Sequence, residues 1–183
     1  MTIHAAADGS ALGNPGPAGW GWYVDDSCWA SGGWPHGTNN MGELMAVLDL
    51  LRQTAHVEEE MVILCDSQYV INSVTKWMAG WKRKGWKKKD GKPVLNVELM
   101  KQIDAAMVGR RVRFQWVKGH AGHPLNEQAD RIANAAACAF RDARTPEAGP
   151  GYPGAGPAGV SASGDVRRAP GALEEDTADL PLW

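Results

Sequence analysis

Cysteine, long apolar runs and a charged leader are scarce or missing in this sequence, and each absence excludes a class of protein. The three cysteines, Cys28, Cys65 and Cys138, are an odd number without a Cys-X-X-Cys pair, which argues against a disulfide framework and a cysteine-based zinc site. No apolar stretch is long enough to cross a bilayer, and the first residues lack the pattern of a signal peptide. We therefore expect a cytoplasmic protein with no membrane partner.

Charge is nearly balanced overall but unevenly distributed along the chain. The 183 residues carry a formal net charge of −2, yet the part from Arg144 onward holds three basic and six acidic residues. Eight basic residues lie between Lys76 and Lys92, against a single acid, Asp90. A local basic segment of this density predicts an anionic partner, whatever the overall charge.

The composition changes near residue 144. Residues 145–171 contain five prolines and seven glycines and few side chains that could be buried, which predicts a disordered linker. We predict one globular domain over residues 1–143, a linker over residues 144–172, and an acidic, apolar tip over residues 173–183. The tip ends in Asp179-Leu180-Pro181-Leu182-Trp183.

The globular part predicts an α/β fold. A strand of small and apolar residues ends at Asp8 before a Gly/Asn/Pro turn, and two further strands complete an antiparallel meander. The apolar run 61–65 is typical of a strand covered on both faces, and the helix that follows it predicts parallel pairing with another strand. Asn40 and Asn96 are the predicted N-caps of two helices, with Glu43 in the first turn of the former.

Four carboxylates stand out by their placement: Asp8 and Asp66 at the ends of predicted buried strands, and Glu43 and Asp130 near the starts of helices. Each has a structural interpretation, as a turn residue, a helix cap, part of a capping box or a solvated helix residue. If they lie together, they repel one another unless hard, oxygen-preferring cations such as Mg²⁺ neutralise them. Two such ions about 3.5–4 Å apart can promote an in-line displacement at phosphorus.

Tryptophans alternate with the lysines of the basic segment. The lysines of residues 82–92 can neutralise backbone phosphates, and Trp77, Trp81 and Trp86 can offer aromatic surface between them. The structural alternative is a solvated helix face with tryptophans in the core. The density of lysine favours nucleic-acid binding.

Five motifs occur in a fixed order: Asp8-Gly9-Ser10 with Gly13-Asn14-Pro15-Gly16; Thr38-Asn39-Asn40 with Glu43-Leu44; Asp66-Ser67-Gln68-Tyr69-Val70; Trp81-Lys82 through Gly85-Trp86; and Trp116-Val117-Lys118-Gly119-His120-Ala121-Gly122-His123-Pro124 with Asn126-Glu127 and Asp130. Each motif is weak alone, but the combination is highly specific. Over about residues 1–142 the sequence resembles type 1 ribonuclease H of bacteria. The resemblance implies the ribonuclease H fold, a five-stranded mixed sheet with its first three strands antiparallel and helices on both sides.

The resemblance also implies a reaction and its residues. The reaction is hydrolysis of the RNA strand of an RNA/DNA hybrid by two Mg²⁺ ions, for which Mn²⁺ can substitute, leaving 5′-phosphate and 3′-hydroxyl ends. The implied metal ligands are Asp8, Glu43, Asp66 and Asp130, with His120 as a mobile histidine that aids proton transfer or product release. The implied hybrid contacts are Asn14, Asn39, Asn40 and Gln68 in the minor groove, Thr38 and Asn96 at a phosphate, and Trp77, Trp81, Lys82, Lys84, Trp86, Lys87 and Lys88 in a basic protrusion over residues 77–92 that grips the DNA strand.

Two other functions stay open from the sequence. One is a DNA-cleaving or strand-transferring nuclease on the same fold, and the other is a non-catalytic module that binds hybrids. The tip resembles the acidic, apolar end of bacterial single-stranded-DNA-binding proteins, which predicts docking on a partner protein or on the protrusion of the same molecule, with an inert terminus as the alternative. We expect a monomer.

Overall fold

A computed structural model describes residues 1–155 of the chain. Its strands are β1 (Ile3–Ala11), β2 (Gly16–Asp25), β3 (Cys28–Gly37), β4 (Met61–Cys65) and β5 (Val112–Trp116). They form one sheet in the order β3-β2-β1-β4-β5, in which the first three strands pair antiparallel and β4 pairs parallel with β1 and β5. The predicted α/β class and mixed five-stranded sheet are confirmed.

Helices cover both faces of this sheet. They are α1 (Asn39–Gln53), α2 (Gln68–Asn72), a π-helical turn (Ser73–Trp77), α3 (Met78–Arg83), α4 (Val97–Met107) and α5 (Pro124–Arg141). Trp22 and Ile63 belong to the core cluster that α1 and α4 share with the sheet, whereas Tyr23 and Val62 pack with residues of α5 on the opposite face. Adjacent residues of one strand thus enter different halves of the core, as the period of two requires. No helix within residues 1–155 is long and apolar enough to cross a membrane.

The first strand is longer than expected. β1 continues past Asp8 to Ala11 because its antiparallel partner β2 stays paired with it as far as Ala11. Its parallel partner β4, in contrast, pairs with β1 only as far as Ala6. The prediction that the strand ends at Asp8 is therefore wrong for the strand, although Asp8 does lie beyond the last residue that β4 pairs with.

Three predicted helix caps differ in the structure. Thr38, not Asn40, caps α1 by accepting a 3.1 Å hydrogen bond from the Met41 amide, which places Glu43 beyond the first turn. Ser67 caps α2 through the amide of Val70, so the carboxylate of Asp66 is not used as a cap. Asn96 precedes α4 in a left-handed conformation with φ 55° and makes no side-chain cap. The neighbouring residues Thr38 and Ser67 thus cap α1 and α2, whereas Asn96 begins α4 through its backbone conformation alone.

The first part of the predicted linker packs against the domain. Ala148 accepts a 3.0 Å hydrogen bond from the amide of Ser31 in β3, and the amide of Gly151 donates to the carbonyl of Trp29. We name residues 145–155 the strap. The prediction of disorder is wrong for the strap, because its backbone finds partners on an edge strand; the tip, residues 173–183, lies outside the described residues.

Candidate active site

Three carboxylates from separate elements meet at one place. Asp8 comes from β1, Glu43 from α1, and Asp66 from the residue after β4. One carboxylate oxygen of each lies within 4.8 Å of the others. Asp8 is 3% exposed and Glu43 is 6% exposed. Asp66 is half-buried. We call these three residues the carboxylate trio.

Close packing of α1 on β1 brings the first two carboxylates together. Gly9 follows Asp8, and a Cβ atom at Gly9 would lie 2.3 Å from the backbone nitrogen of Glu43. Only glycine allows this approach, because a side chain there would push α1 away from the strand. The amide of Gly9 also donates a 2.9 Å hydrogen bond to the carboxylate of Asp8. The Asp-Gly pair thus fixes both the carboxylate and the helix that faces it.

Burial and like charge disfavour ionisation of the trio. Burial raises the pKa of Asp8 to about 7, with further increases from the charges of Asp66 and Asp130 and an opposing effect of the hydrogen bond with Glu43. Burial also raises the pKa of Glu43 well above its ordinary value, and the charge of Asp8 raises it further. A cation bound among these oxygens would remove both penalties. The trio is therefore a donor set that fits a hard divalent metal ion.

Asp130, the fourth predicted ligand, lies near the trio but outside its 4.8 Å group. It is half-buried on α5. Its charge contributes to the raised pKa of both Asp8 and Asp66, which places it within electrostatic range of the two carboxylates. The structure thus brings three predicted ligands together and holds the fourth at the border of the group.

Asn126 lies beside the carboxylate trio; it belongs to the fifth sequence motif, but no role was predicted for it from the sequence. It is 2% exposed, and the hydrogen bond of its side chain opposes the burial that raises the pKa of Asp66. Its Oδ1 atom is buried without a hydrogen-bond partner among the described residues. Its spacing of four residues from Asp130 puts the two on one face of α5, and that spacing was the available signal.

The loop between β5 and α5 carries His120 at the side of Asp66. The side chain of His120 is exposed, and its backbone adopts a left-handed conformation with φ 54°. Its charge acts to lower the pKa of Asp66, so the ring lies within electrostatic range of that carboxylate. Gly119 packs on the same carboxylate, since a Cβ atom there would be 2.9 Å from Asp66 Oδ2. His123 precedes α5 at the capping position without a side-chain cap.

The predicted minor-groove residues form a connected group beside the start of α1. Asn14 accepts a 3.1 Å hydrogen bond from the amide of Asn39, whose own side chain accepts from the amide of Ala11 at 2.7 Å. Asn14 and Asn39 are exposed, and Thr38 and Asn40 are partly exposed in the same segment. Gln68 is exposed at the start of α2, next to Asp66 in sequence.

The predicted protrusion divides into a buried aromatic base and an exposed basic surface. Trp77 and Trp81 are only 9% and 5% exposed, with ring centroids 5.9 Å apart. The prediction that they offer aromatic surface is wrong, because their spacing of four residues along a helical segment turns both into the core. Trp86 is partly buried. Asn96 lies just before α4 in the same chain, where its side-chain amide donates a hydrogen bond to the hydroxyl of Tyr69 at 3.4 Å.

The lysines of the protrusion remain at the surface to different degrees. Lys84 and Lys87 are exposed, and Lys88 is partly exposed. Lys82 is exposed as well, but its ammonium group lies 2.9 Å from the carboxylate of Asp104 in α4. Its charge is therefore partly compensated within the protein.

Comparisons with known proteins agree on one family. The family model described as RNase H matches residues 2–138. The Ribonuclease H of Tropheryma whipplei (strain Twist) is 55% identical over 152 residues, covering 82% of this chain and 93% of that protein. The Ribonuclease HI of Caulobacter vibrioides is 49% identical over 140 residues, covering 73% of this chain and 90% of that protein.

A solved structure gives the same result. The crystal structure of LC9-RNase H1, described as a type 1 RNase H with the type 2 active-site motif, is similar with a TM-score of 0.66 at 30% identity. The likeness covers 82% of this chain and 77% of that chain. The range matched by the family model contains the carboxylate trio and Asp130 and ends before the strap.

Proposed function

The chain belongs to the ribonuclease H family, and from this premise we propose that it is an endonuclease that hydrolyses the RNA strand of RNA/DNA hybrids. The products are a 5′-phosphate and a 3′-hydroxyl end. The observation that carries the proposal is the carboxylate trio, whose oxygens lie within 4.8 Å of one another on the fold of this family. A binding module would gain nothing from this arrangement, because it buries like charges without using them.

The trio and Asp130 are the proposed ligands of two Mg²⁺ ions, with Mn²⁺ as a substitute. Four carboxylates supply the hard oxygen donors that these ions prefer, and their raised pKa values favour a bound cation. When bound, Mg²⁺ supplies an activated water and neutralises charge on the scissile phosphate. Asp8 occupies the centre of the proposed site, since it shares a hydrogen bond with Glu43 and feels the charge of both Asp66 and Asp130.

Two further residues have proposed roles beside the ligands. Asn126 forms a side-chain hydrogen bond with Asp66, which keeps the carboxylate of Asp66 oriented toward Asp8 and Glu43. His120 sits on an exposed loop at the same carboxylate, and its imidazole is proposed to carry a proton to or from the reacting phosphate. The exposure of His120 supports its proposed role as a mobile residue.

We assign hybrid binding to two surfaces. Asn14, Thr38, Asn39, Asn40 and Gln68 offer amide and hydroxyl groups for the 2′-hydroxyls that distinguish RNA from DNA. Lys84, Lys87 and Lys88 offer positive charge for the phosphates of the DNA strand. Lys82 and Trp86 have lesser roles, because Lys82 is paired with Asp104 and Trp86 is partly buried.

We also propose a cytoplasmic location, a monomeric state and a docking role for the tip. The hybrid substrate arises where DNA is copied and transcribed, which supports the location. For the tip, a chain that ends at Ala155 removes it but keeps the strap. If the tip docks on the protrusion, this shorter chain binds hybrid more tightly than the full chain; if it docks on a replication or repair protein, only the full chain binds that protein. Equal behaviour in both assays would show an inert terminus.

Cleavage of a labelled RNA/DNA hybrid with Mg²⁺ tests the proposed reaction. Wild type is compared with Asp8→Asn, which removes the charge of one proposed ligand, and with Asp25→Asn, a matched change at the exposed last residue of β2. We expect cleavage of the hybrid alone, lost in Asp8→Asn and retained in Asp25→Asn. RNA/RNA and DNA/DNA duplexes complete the panel. Cleavage of DNA duplex would favour the DNA nuclease, and binding without cleavage under Mg²⁺ and Mn²⁺ would favour the binding module.

A further inference from the structure

The edge of β3 is occupied by a segment that the family match does not include. β3 is the outermost strand on its side of the sheet, and an edge strand presents N–H and C=O groups that can pair with another chain. The strap takes up two of these groups, since Ala148 accepts from the amide of Ser31 at 3.0 Å and Gly151 donates to Trp29 at 2.9 Å. The edge is therefore already used as a strand-accepting surface.

The end of the strap is anchored on α1 and the loop after it. The amide of Tyr152 donates a 2.9 Å hydrogen bond to Oε1 of Gln53. The ring of Tyr152 packs against the core and makes an edge contact with His56 at 5.8 Å between centroids. The carbonyl of Pro153 lies 2.9 Å from Nε2 of the same histidine. These contacts fix the end of the strap, and they involve both its backbone and its side chains.

The glycines of the strap fit their positions specifically. Gly149 and Gly151 have φ values of +84° and +76°, which L side chains rarely adopt. A Cβ atom at Gly149 would be 2.5 Å from the carbonyl oxygen of Trp29, and one at Gly151 would be 2.7 Å from Gln53 Oε1. The glycines that predicted disorder from the sequence are therefore the residues that allow the strap to pack closely on the edge of β3.

The prolines of the strap limit further pairing. Pro146, Pro150 and Pro153 have no N–H group to donate, so the outer side of the strap is a poor template for another strand. The strap therefore covers the open edge of β3, and its own outer side is poorly suited to pair with a further strand.

We propose that the β3 edge is an interaction surface for an extended strand, that the strap occupies it within the same molecule, and that this contact keeps a second copy of the chain from pairing there. The strap is then part of the folded domain rather than of a linker. Gln53 follows Glu43 by ten residues in α1, which is about 15 Å along the helix axis, so the strap leaves the domain far from the carboxylate trio.

Hydrogen exchange of the Ser31 amide in the full-length chain tests the contact. Gly149→Ala is expected to displace the strap, because its Cβ atom would lie 2.5 Å from the backbone carbonyl oxygen of Trp29. Exchange of the Ser31 amide should then accelerate at least about tenfold, because its acceptor Ala148 is lost. Gly109→Ala is the matched control: Gly109 also has a positive φ, of +73°, but no atom of residues 1–155 other than those of its chain neighbours lies within 4 Å of its Cβ position. Gly109→Ala introduces the same kind of backbone strain, but we expect it to leave the Ser31 amide protected from hydrogen exchange. Equal protection of Ser31 in both variants would overturn the proposal.

Chains that end at Ala155 and at Arg144 test the consequence for association. The chain ending at Ala155 keeps the strap and is expected to melt like the full chain and to sediment as a monomer. The chain ending at Arg144 exposes the β3 edge, and we expect its melting temperature to fall by about 5–10 °C and its sedimentation to become concentration-dependent. If it instead melts like the full chain and stays monomeric, the strap does not protect the edge.

Discussion

The carboxylate trio and the basic protrusion are built in opposite ways. The trio is buried and negative, and its residues come from two central strands and the longest helix on their face of the sheet. The protrusion is exposed and positive, and it consists of a six-residue helix followed by a turn in which Gly85, Trp86 and Gly91 have positive φ. Groups that must be placed to a fraction of an ångström thus belong to the core, whereas groups that only supply charge lie on a locally formed segment.

The same comparison separates the energetic roles of the two regions. Burying three carboxylates together opposes folding, and their raised pKa values express that cost. The lysines of the protrusion remain solvated, so their charge costs the fold little and acts at long range on a polyanion. Substitutions should therefore affect turnover in the first region and affinity in the second.

A large effect on cleavage is expected at Glu43, as for the other members of the trio. Glu43→Gln keeps the size of this buried side chain but removes its charge, so we expect cleavage to fall by about 1,000-fold, equivalent to about 4 kcal/mol of transition-state stabilisation. In the absence of metal, the melting temperature should rise by about 2–4 °C, because repulsion from Asp8 is relieved. Cleavage assays and thermal melts in a chelator check both results. A variant that cleaves normally, or that melts at a lower temperature, would contradict this account of the trio.

A smaller effect is expected in the protrusion. Lys84→Ala combined with Lys87→Ala should weaken hybrid binding about tenfold at low salt and reduce the slope of log affinity against log salt by about 1.5, because two phosphate contacts are lost. The measurement is binding of an uncleaved hybrid in chelator over a salt series. Lys101→Ala, which changes an exposed lysine on α4, is the control and should leave the slope unchanged. An equal loss in the control would mean that general charge, not the protrusion, binds the hybrid.

A third prediction concerns Asp49, a buried carboxylate outside the trio, whose substitution should affect stability and not the reaction. Asp49 is 3% exposed and accepts hydrogen bonds from Trp22 and Gln53, both at 2.8 Å. Burial nevertheless raises its pKa to about 6 from 3.8. Since the folded state binds this proton more tightly than the unfolded state, Asp49 favours folding at low pH, and that contribution is lost as the pH rises from about 4 to about 6.

Stability measurements across that pH range check the effect of Asp49. Wild type should lose about 2–3 kcal/mol more than Asp49→Asn between about pH 4 and pH 6.5, since each unit of pKa shift is worth about 1.4 kcal/mol. The comparison between the two proteins cancels the titration of the trio, which both share. Parallel stability curves would show that Asp49 does not titrate in this range.

Local signals singled out the members of the trio in the sequence, and the resemblance to the family implied their role as metal ligands. Asp8 and Asp66 follow apolar strand residues, and Glu43 follows the start of a helix, so parallel pairing alone brings the two aspartates to one end of the sheet. The exact caps could not be predicted in the same way. Thr38 and Asn40 are both good capping residues, and only the hydrogen bond of Asn39 with β1 decides which of them begins the helix.

Residues whose role depends on distant contacts were missed or misjudged. Trp77 and Trp81 fit a core and a binding surface equally well by sequence, and the packing against α4 and the sheet decides for the core. The strap has the composition of a linker, and the partners of its backbone, the β3 edge, Gln53 and His56, are all far away in sequence. Asn126 belongs to the fifth motif and is spaced four residues from Asp130, but its role could not be assigned because its partner Asp66 lies sixty residues earlier in the chain.

Single-turnover cleavage of hybrid at rising protein concentration tests the central claim most directly, namely that the trio performs the reaction and the protrusion supplies affinity. Asp8→Asn and the Lys84/Lys87 double alanine variant are measured side by side in Mg²⁺. We predict that Asp8→Asn stays at least about 1,000-fold slower than wild type at every concentration, whereas the lysine variant reaches the wild-type rate at saturation. Recovery of Asp8→Asn at saturation, or a lysine variant that remains slow there, would contradict the division between the two regions.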